Sequence, residues 1–310
     1  LSKKLLIAIV GPTAVGKTAL AIHIAEKYKT EILSADSRQF YKEMEIGTAK
    51  PNASELNRIP HHFVNNLSIH DAYNAGKYEK EALICLDKLF STYDTAIMVG
   101  GSGLFVNALC NGFDELPDAD DSLRTKYDTI LKEQGIAVIQ QELQEKDPIY
   151  YEMVDKNNPR RLIRALEVIH NTGLPYSQFR KKEAKTRSFS VCKIGLTMDK
   201  EELRKRIDKR VDEMFAMGWL EECMKLYPYK ELNALRTVGY TELFDFIEGK
   251  ADWDTTVQNI KTNTWHYAKR QLTWFKKDKD VKWFSPVDIL EIEKYIDHIH
   301  TNLVSYDRYP

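Results

Sequence analysis

The stretch that most constrains this chain is "GPTAVGKT", Gly11 to Thr18, which satisfies the pattern G-x-x-x-x-G-K-[ST] at every fixed position. Before it runs "LLIAIV" (5–10), continuously apolar, as a strand covered on both faces should be. After it comes "ALAIHIAEKY", a helical pattern. Strand, glycine loop and helix together are the context the pattern requires. The glycines let the backbone curl so that several N–H groups converge on an anion at a helix N-terminus. Gly11, Pro12, Thr13, Ala14, Val15, Gly16, Lys17 and Thr18 are therefore the expected phosphate cradle. Lys17 supplies a point charge, and Thr18 offers a hydroxyl to Mg²⁺.

The rest of the first third keeps the same rhythm. A short strand is expected at "TEILSA" (30–35), a helix at 77–90 and a buried strand at "TAIMVG" (95–100). The helix would bury Tyr78, Ala82, Cys85, Leu86 and Leu89. That alternation predicts an α/β fold: a P-loop NTPase-like core with a parallel sheet. After "NGFDELPDADDS" (111–122) long helical patterns run without strands to about 188. One of these helices has clear ends, with Asn158 as N-cap, Pro159 at the first position and Gly173 past the last. A strand returns at "VCKIGLT" (191–197), and another is expected at "VKWFS" (281–285). The reading is a discontinuous catalytic core, 1–111 and 190–310, with an inserted all-helical domain, 112–189.

A nucleoside-triphosphate hydrolase usually places an aspartate at the end of a neighbouring strand to hold its metal. Here the strand at 95–100 runs into "GGSGLF", which offers glycines and Ser102 instead. A carboxylate appears elsewhere, in "LSADSRQFYKEMEIGTAKP", where Asp36 follows the second strand. Ligands of open α/β sheets sit beyond the carboxyl ends of the strands, so Asp36 is placed to face the phosphates. On position alone a helix N-cap is an equal reading.

Several segments occur in order from residue 11 to 275: "GPTAVGKT", "SADSRQFYKEMEIGTAKP", "HHF…YNAGKY", "VGGSGLF", "NNPRRLIRALEV", "RTVGYTE" and "YAKRQLTWF". Together they resemble the tRNA dimethylallyltransferases, the tRNA isopentenyltransferase family of bacterial type, over nearly the whole chain. The resemblance implies transfer of a dimethylallyl group from dimethylallyl diphosphate to the exocyclic N6 amine of adenosine 37, just 3′ of the tRNA anticodon. It also implies that the cradle holds the donor's diphosphate rather than ATP. Asp36 then matches the general base, Ser102 a hydroxyl residue that contacts the same amine, and Arg210, in "LRKRIDKRVDEMF", an arginine that reaches the diphosphate. With Leu203, Ile207, Val211 and Met214 as the buried stripe, Arg210 lies beside that stripe and can point into a cleft, although from the stripe alone a solvated helix face is the favoured reading.

The partners implied are tRNA, through its anticodon stem-loop, and dimethylallyl diphosphate, with Mg²⁺ as cofactor. The adenine pocket is expected near Asp36, Ser37, Arg38 and Gln39, and its base must be extruded from the loop to reach them. Basic residues cluster although the net charge is −1: eight Lys or Arg against two acids from 160 to 187. Arg160, Arg161 and Arg164 tilt one helix face towards phosphate contact, and the insertion is expected to grip the stem-loop. The family's RNA-contacting stretches add Arg236, Gly239 and Tyr240. "HYAKRQLTWFKK" interleaves bases with aromatics, which suits RNA, although such aromatics are often core.

The sequence departs from the family in places. Ser102 stands for the usual threonine, Phe105 for a common tyrosine, and Thr241 where a basic residue is frequent. His61 and His62 lack a third ligand in sequence, so they read as structural. Four separated cysteines give no zinc or disulfide pattern and read as buried thiols. No apolar run reaches 18 residues, and "LSKKLLIAIV" reads as a strand rather than a signal peptide. A monomer in the cytoplasm, away from membranes, is expected. The competing readings are an adenylate isopentenyltransferase acting on free AMP, ADP or ATP, a small-molecule P-loop kinase, and a non-catalytic RNA-binding module.

Overall fold

The structure, a computed structural model, describes residues 4–114, 116, 117, 120–180 and 185–305. The chain divides into two compact units. One comprises Leu1–Asn111 with Thr186–Pro310, and the other Gly112–Lys185.

The larger unit begins β1 (Leu5–Val10), α1 (Lys17–Tyr28), β2 (Ile32–Ser34), α2 (Ala53–Arg58), β3 (His61–His62), α3 (Ala75–Thr92), β4 (Thr95–Gly100) and α4 (Gly103–Asn111). The helical unit holds α5 (Asp121–Gln134), α6 (Ile136–Lys146), α7 (Pro148–Met153), α8 (Pro159–Thr172) and α9 (Tyr176–Phe179). The larger unit resumes with β5 (Ser190–Leu196), α10 (Lys200–Ala216), α11 (Trp219–Leu226), α12 (Tyr240–Ile247), α13 (Trp253–Phe275), β6 (Val281–Phe284) and α14 (Ile289–Ser305).

Among the described residues the strands form one six-stranded sheet in the order β3-β2-β4-β1-β5-β6, with every pairing parallel. This is the expected α/β class, and the apolar runs that predicted strands sit at its centre. Both faces of β1 are covered. Leu5, Ile7 and Ile9 pack with Leu20 and Ile24 of α1 and Ile292 and Ile296 of α14. Leu6, Ala8 and Val10 pack with Tyr78 and Leu86 of α3 and Leu109 of α4. The two-residue β3, formed by the histidine pair, is an edge addition that the sequence did not suggest.

Residues 186–189, expected with the insertion, pack with the sheet unit. The Arg187 guanidinium donates to the carbonyls of Ala108 and Leu109 and pairs with Glu79 at 2.8 Å, and Phe189 meets Phe90. A third cluster joins the loop after β2 to the later helices: Tyr41 and Met44 pack with Val211, Trp219, Leu235, Tyr240 and Ile260.

In the helical unit, Tyr127, Ile139, Leu143, Leu162, Leu166 and Ile169 form a separate core. The ends of α8 are those expected. The Asn158 side chain accepts the Arg161 N–H, Pro159 is the first helical residue, and Gly173 closes the helix in the left-handed region. Cys110, Cys192 and Cys223 are buried and Cys85 is half-buried, all as free thiols. Burial pushes the Cys110 and Cys192 thiols up to about 12. Among the described residues no helix is long and apolar enough to cross a membrane.

Candidate active site

The carboxyl ends of three strands meet at one place. Val10 of β1 pairs with Gly100 of β4, and β2 reaches the same level through Ser34, opposite Val99. The phosphate loop leaves β1, Asp36 leaves β2, and Ser102 leaves β4. Gly11 opens the loop at φ 144°, and a Cβ there would lie 2.6 Å from the Leu196 carbonyl, so only glycine fits. Gly16, at φ 106°, hands the chain to α1.

Inside this loop Lys17 donates to the Pro12 carbonyl at 2.7 Å. Burial holds its ammonium down at about 8; the Asp36 carboxylate pulls the other way, and the Arg210 guanidinium lowers it further. Arg210 reaches over from α10, with Nη1 donating to Thr13 Oγ1 at 3.1 Å and Nη2 to the Ala49 carbonyl at 3.3 Å. Burial also lowers Arg210, opposed chiefly by Asp36. Asp36 thus lies within electrostatic reach of both Lys17 and Arg210.

Asp36 opens a turn rather than capping a helix. Its Oδ1 accepts the Arg38 N–H at 3.1 Å, and its carbonyl accepts the Gln39 N–H. Ser102 Oγ accepts the Ser37 N–H at 2.9 Å and donates to Ser37 Oγ at 3.1 Å. The structure therefore brings Asp36, Ser37 and Ser102 together. The side chains of Arg38 and Gln39 are engaged in scaffolding. Arg38 Nη1 donates to the carbonyls of Asn233 and Ala234, and Gln39 Nε2 to those of Thr48 and Ala49.

Sequence reasoning missed a stripe on α13 at i, i+4, i+7. Tyr267 lies near Ser102 and Asp36; burial and the nearby Asp36 push this phenol well above its usual range, so it stays protonated. Gln271 is buried and bonds both the phosphate loop and the turn before Ser102. Trp274 packs against Gly103 at the start of α4. A polar Gln271 in register with buried Ala268 and Phe275 was the available signal.

The residues expected at RNA divide differently. Arg236 is exposed and lines a cleft with Thr237, Asn263, Tyr267 and Arg270. Tyr240, by contrast, is a core residue with 0% exposure. Its hydroxyl donates to Glu222 at 2.6 Å, and buried Gly239 packs on Trp219. The aromatic ring supplies packing that no surface position would use, so the Tyr240 side chain faces the core. On α8, Arg161 is exposed and Arg160 pairs with Asp128 at the surface. Arg164 is 27% exposed and committed inward, to Glu167 at 3.1 Å and the Pro117 carbonyl at 2.6 Å. Glu167 is fully buried and is also held by Arg124. His61 and His62 are engaged locally, His61 with the Ile59 carbonyl and His62 with Glu31.

A parallel α/β sheet, a glycine phosphate loop after its central strand and polar groups at the neighbouring strand ends define a P-loop-type protein. The IPP transferase family profile matches residues 39–278. The tRNA dimethylallyltransferase of Christiangramia forsetii is 51% identical over 279 residues, 90% of this chain and 92% of that protein. A tRNA dimethylallyltransferase 1 of Bacteroides fragilis is 44% identical, over 96% of this chain and 98% of its own. The full-length tRNA isopentenylpyrophosphate transferase of Bacillus halodurans superposes with a TM-score of 0.73 at 32% identity, over 99% of this chain and 100% of that one. A eukaryotic dimethylallyltransferase, solved in a study of its action on tRNA, gives 0.78 at 29% identity, over 92% of this chain and 75% of that one. This chain belongs to the IPP transferase family, as its motifs implied.

Proposed function

We infer that this protein transfers a dimethylallyl group from dimethylallyl diphosphate to the exocyclic amine of the adenosine just 3′ of a tRNA anticodon, releasing diphosphate. The observation that carries the reading is geometric: the phosphate loop, with Arg210 bonded to its Thr13, and the Asp36 turn leave strand ends at the same level of the sheet. One anion acceptor site and one carboxylate stand side by side there, as a displacement with a departing diphosphate requires. The names of relatives that match nearly the whole chain support the same activity.

In this mechanism the adenine amine attacks the allylic carbon. A nitrogen–carbon bond forms as the carbon–oxygen bond to diphosphate breaks. The amine is a weak nucleophile, so Asp36 accepts its proton. Ser102, bonded to Ser37, orients the amine. Charge grows on the leaving diphosphate, and Lys17, Arg210 and the loop N–H groups meet it.

Among the described residues there is no group of three or more His, Cys, Asp or Glu able to hold a metal. Mg²⁺ keeps waters and binds largely through substrate phosphates, and the Thr18 hydroxyl would be the chain's ligand. When bound, the ion would offset charge on the diphosphate.

The exposed arginines of α8, Arg160 and Arg161, and Arg236 of the other unit would meet tRNA phosphates. A cytoplasmic monomer suits this role. The experiment incubates the protein with dimethylallyl diphosphate, Mg²⁺ and either unmodified tRNA, AMP or ATP. Prenylated tRNA is the expected product; prenylated AMP with unmodified tRNA would assign the protein to free nucleotides instead.

A further inference from the structure

Gln271 is 5% exposed and sits between Ala268 and Phe275 on the buried face of α13. A buried primary amide needs partners for both of its ends. Its Oε1 accepts the Thr13 N–H at 2.8 Å, and its Nε2 donates to the Gly101 carbonyl at 2.9 Å. One partner is a main-chain donor and the other a main-chain acceptor, so only one orientation of the amide satisfies both. Thr13 belongs to the phosphate loop, and Gly101 immediately precedes Ser102. A single side chain, 258 residues from one partner and 170 from the other, therefore spans the loops serving the two substrates. The fit is close. A Cβ on Gly101 would collide with the Gln271 amide and lie 3.7 Å from the Gly11 carbonyl.

The bond also changes what the cradle offers. The Thr13 N–H points at Gln271 and not at an anion, while the Thr13 hydroxyl accepts from Arg210. Gln271 thus shapes the first turn of the phosphate loop and holds the turn carrying the amine-contacting hydroxyl.

We propose that Gln271 is a positioning residue that sets the spacing between the diphosphate cradle and the Ser102 turn, and with it the line along which amine, carbon and leaving oxygen meet; this rests on the prenyl-transfer reading above. A displacement needs those three atoms close and aligned, and a shift of about 1 Å can cost ~100-fold in rate. Neither substrate need touch Gln271 for this to hold.

The test uses Gln271→Met, which keeps the length but removes both bonds, and Gln271→Glu, which keeps the acceptor for Thr13 but loses the donor to Gly101. Binding of inorganic diphosphate and of an anticodon stem-loop is measured separately from single-turnover transfer. Gln271→Met is expected to bind each within about threefold of wild type yet transfer ~10- to 100-fold more slowly. Gln271→Glu is expected to slow transfer while still binding the stem-loop normally. Combined with Ser102→Ala, Gln271→Met should add little further loss, because the two act through one turn; independent effects would multiply. Transfer within about threefold of wild type, losses confined to binding, or full multiplication in the double variant would each overturn the proposal. If Gln271→Met fails to fold, Gln271→Glu decides by the same readouts. A wild-type protein that prenylates no tRNA would refute the functional reading itself, and is seen before any variant is compared.

Discussion

Arg210 Nη1 donates to Thr13 Oγ1 over 3.1 Å, so a helix 197 residues further along the chain places its guanidinium on the phosphate loop. The same guanidinium reaches the Ala49 carbonyl, at the end of the segment that starts with Asp36. Glu222 steadies that segment by accepting the N–H groups of Glu45, Ile46 and Gly47 at 2.7–3.2 Å. The cation is thus braced on two sides before any substrate arrives, which is the condition for stabilising charge without reorganisation.

Arg210→Ala is expected to raise the donor KM and lower turnover, for a combined loss of ~10²–10³ in kcat/KM. Steady-state kinetics with varied donor at saturating tRNA measure it. Arg210→Lys should recover little, since an ammonium lacks the planar fork that spans Thr13 and Ala49. Unchanged donor kinetics in Arg210→Ala would remove this residue from the diphosphate site.

Lys17 makes donor binding pH-dependent. With its ammonium held at about 8 in the ligand-free protein, Lys17 loses charge as pH rises through that value, so affinity for diphosphate should fall there. Calorimetric titration with inorganic diphosphate in two buffers of different ionisation heat, with the ionisation of the diphosphate itself subtracted, should show proton uptake by the protein near about pH 9 and little near about pH 6.5. For folding the sign is opposite to that of a stabilised cation. The unfolded chain holds the extra proton between about 8 and 10.5, so this group favours the folded state increasingly across that window. Diphosphate binding with no proton uptake by the protein at the higher pH, once the ligand's own proton release is subtracted, would contradict the assignment.

The arginines of α8 should separate into two behaviours. Arg161→Ala is expected to weaken stem-loop binding and reduce the slope of log K against log salt by about one. Arg164→Ala should instead cost ~2–3 kcal/mol of stability, because it strips a partner from a buried carboxylate that Arg124 still holds. Salt-dependent binding and chemical denaturation of both variants check this. Equal salt slopes for Arg161→Ala and wild type would leave that residue as plain surface.

What could be read in advance was what local order encodes. The apolar run of β1, the glycine loop and Asp36 follow one another closely, and the parallel rhythm places all of them at the strand ends. Arg210 was legible only through the family resemblance, since the buried stripe of α10 leaves it at an edge that a solvated arginine would suit as well. Gln271 and Tyr267 were not, because their roles depend on where α13 crosses the sheet. Nothing in "YAKRQLTWF" says that the helix lies over Gly101. The burial of the Tyr240 ring was illegible for the converse reason: it follows an exposed arginine and a glycine, as a loop residue would, but the glycine turn directs its ring into the core. The inward turn of Arg164 had a signal in its i, i+3 spacing from Glu167.

The most direct measurement of the central claim is single-turnover prenyl transfer by Asp36→Ala beside wild type, with tRNA affinity determined on the same samples. A carboxylate that accepts the amine's proton predicts a fall of roughly a hundredfold or more in transfer with tRNA binding little changed. Transfer at the wild-type rate would show that Asp36 takes no part in the chemistry, and the account of this site would be wrong.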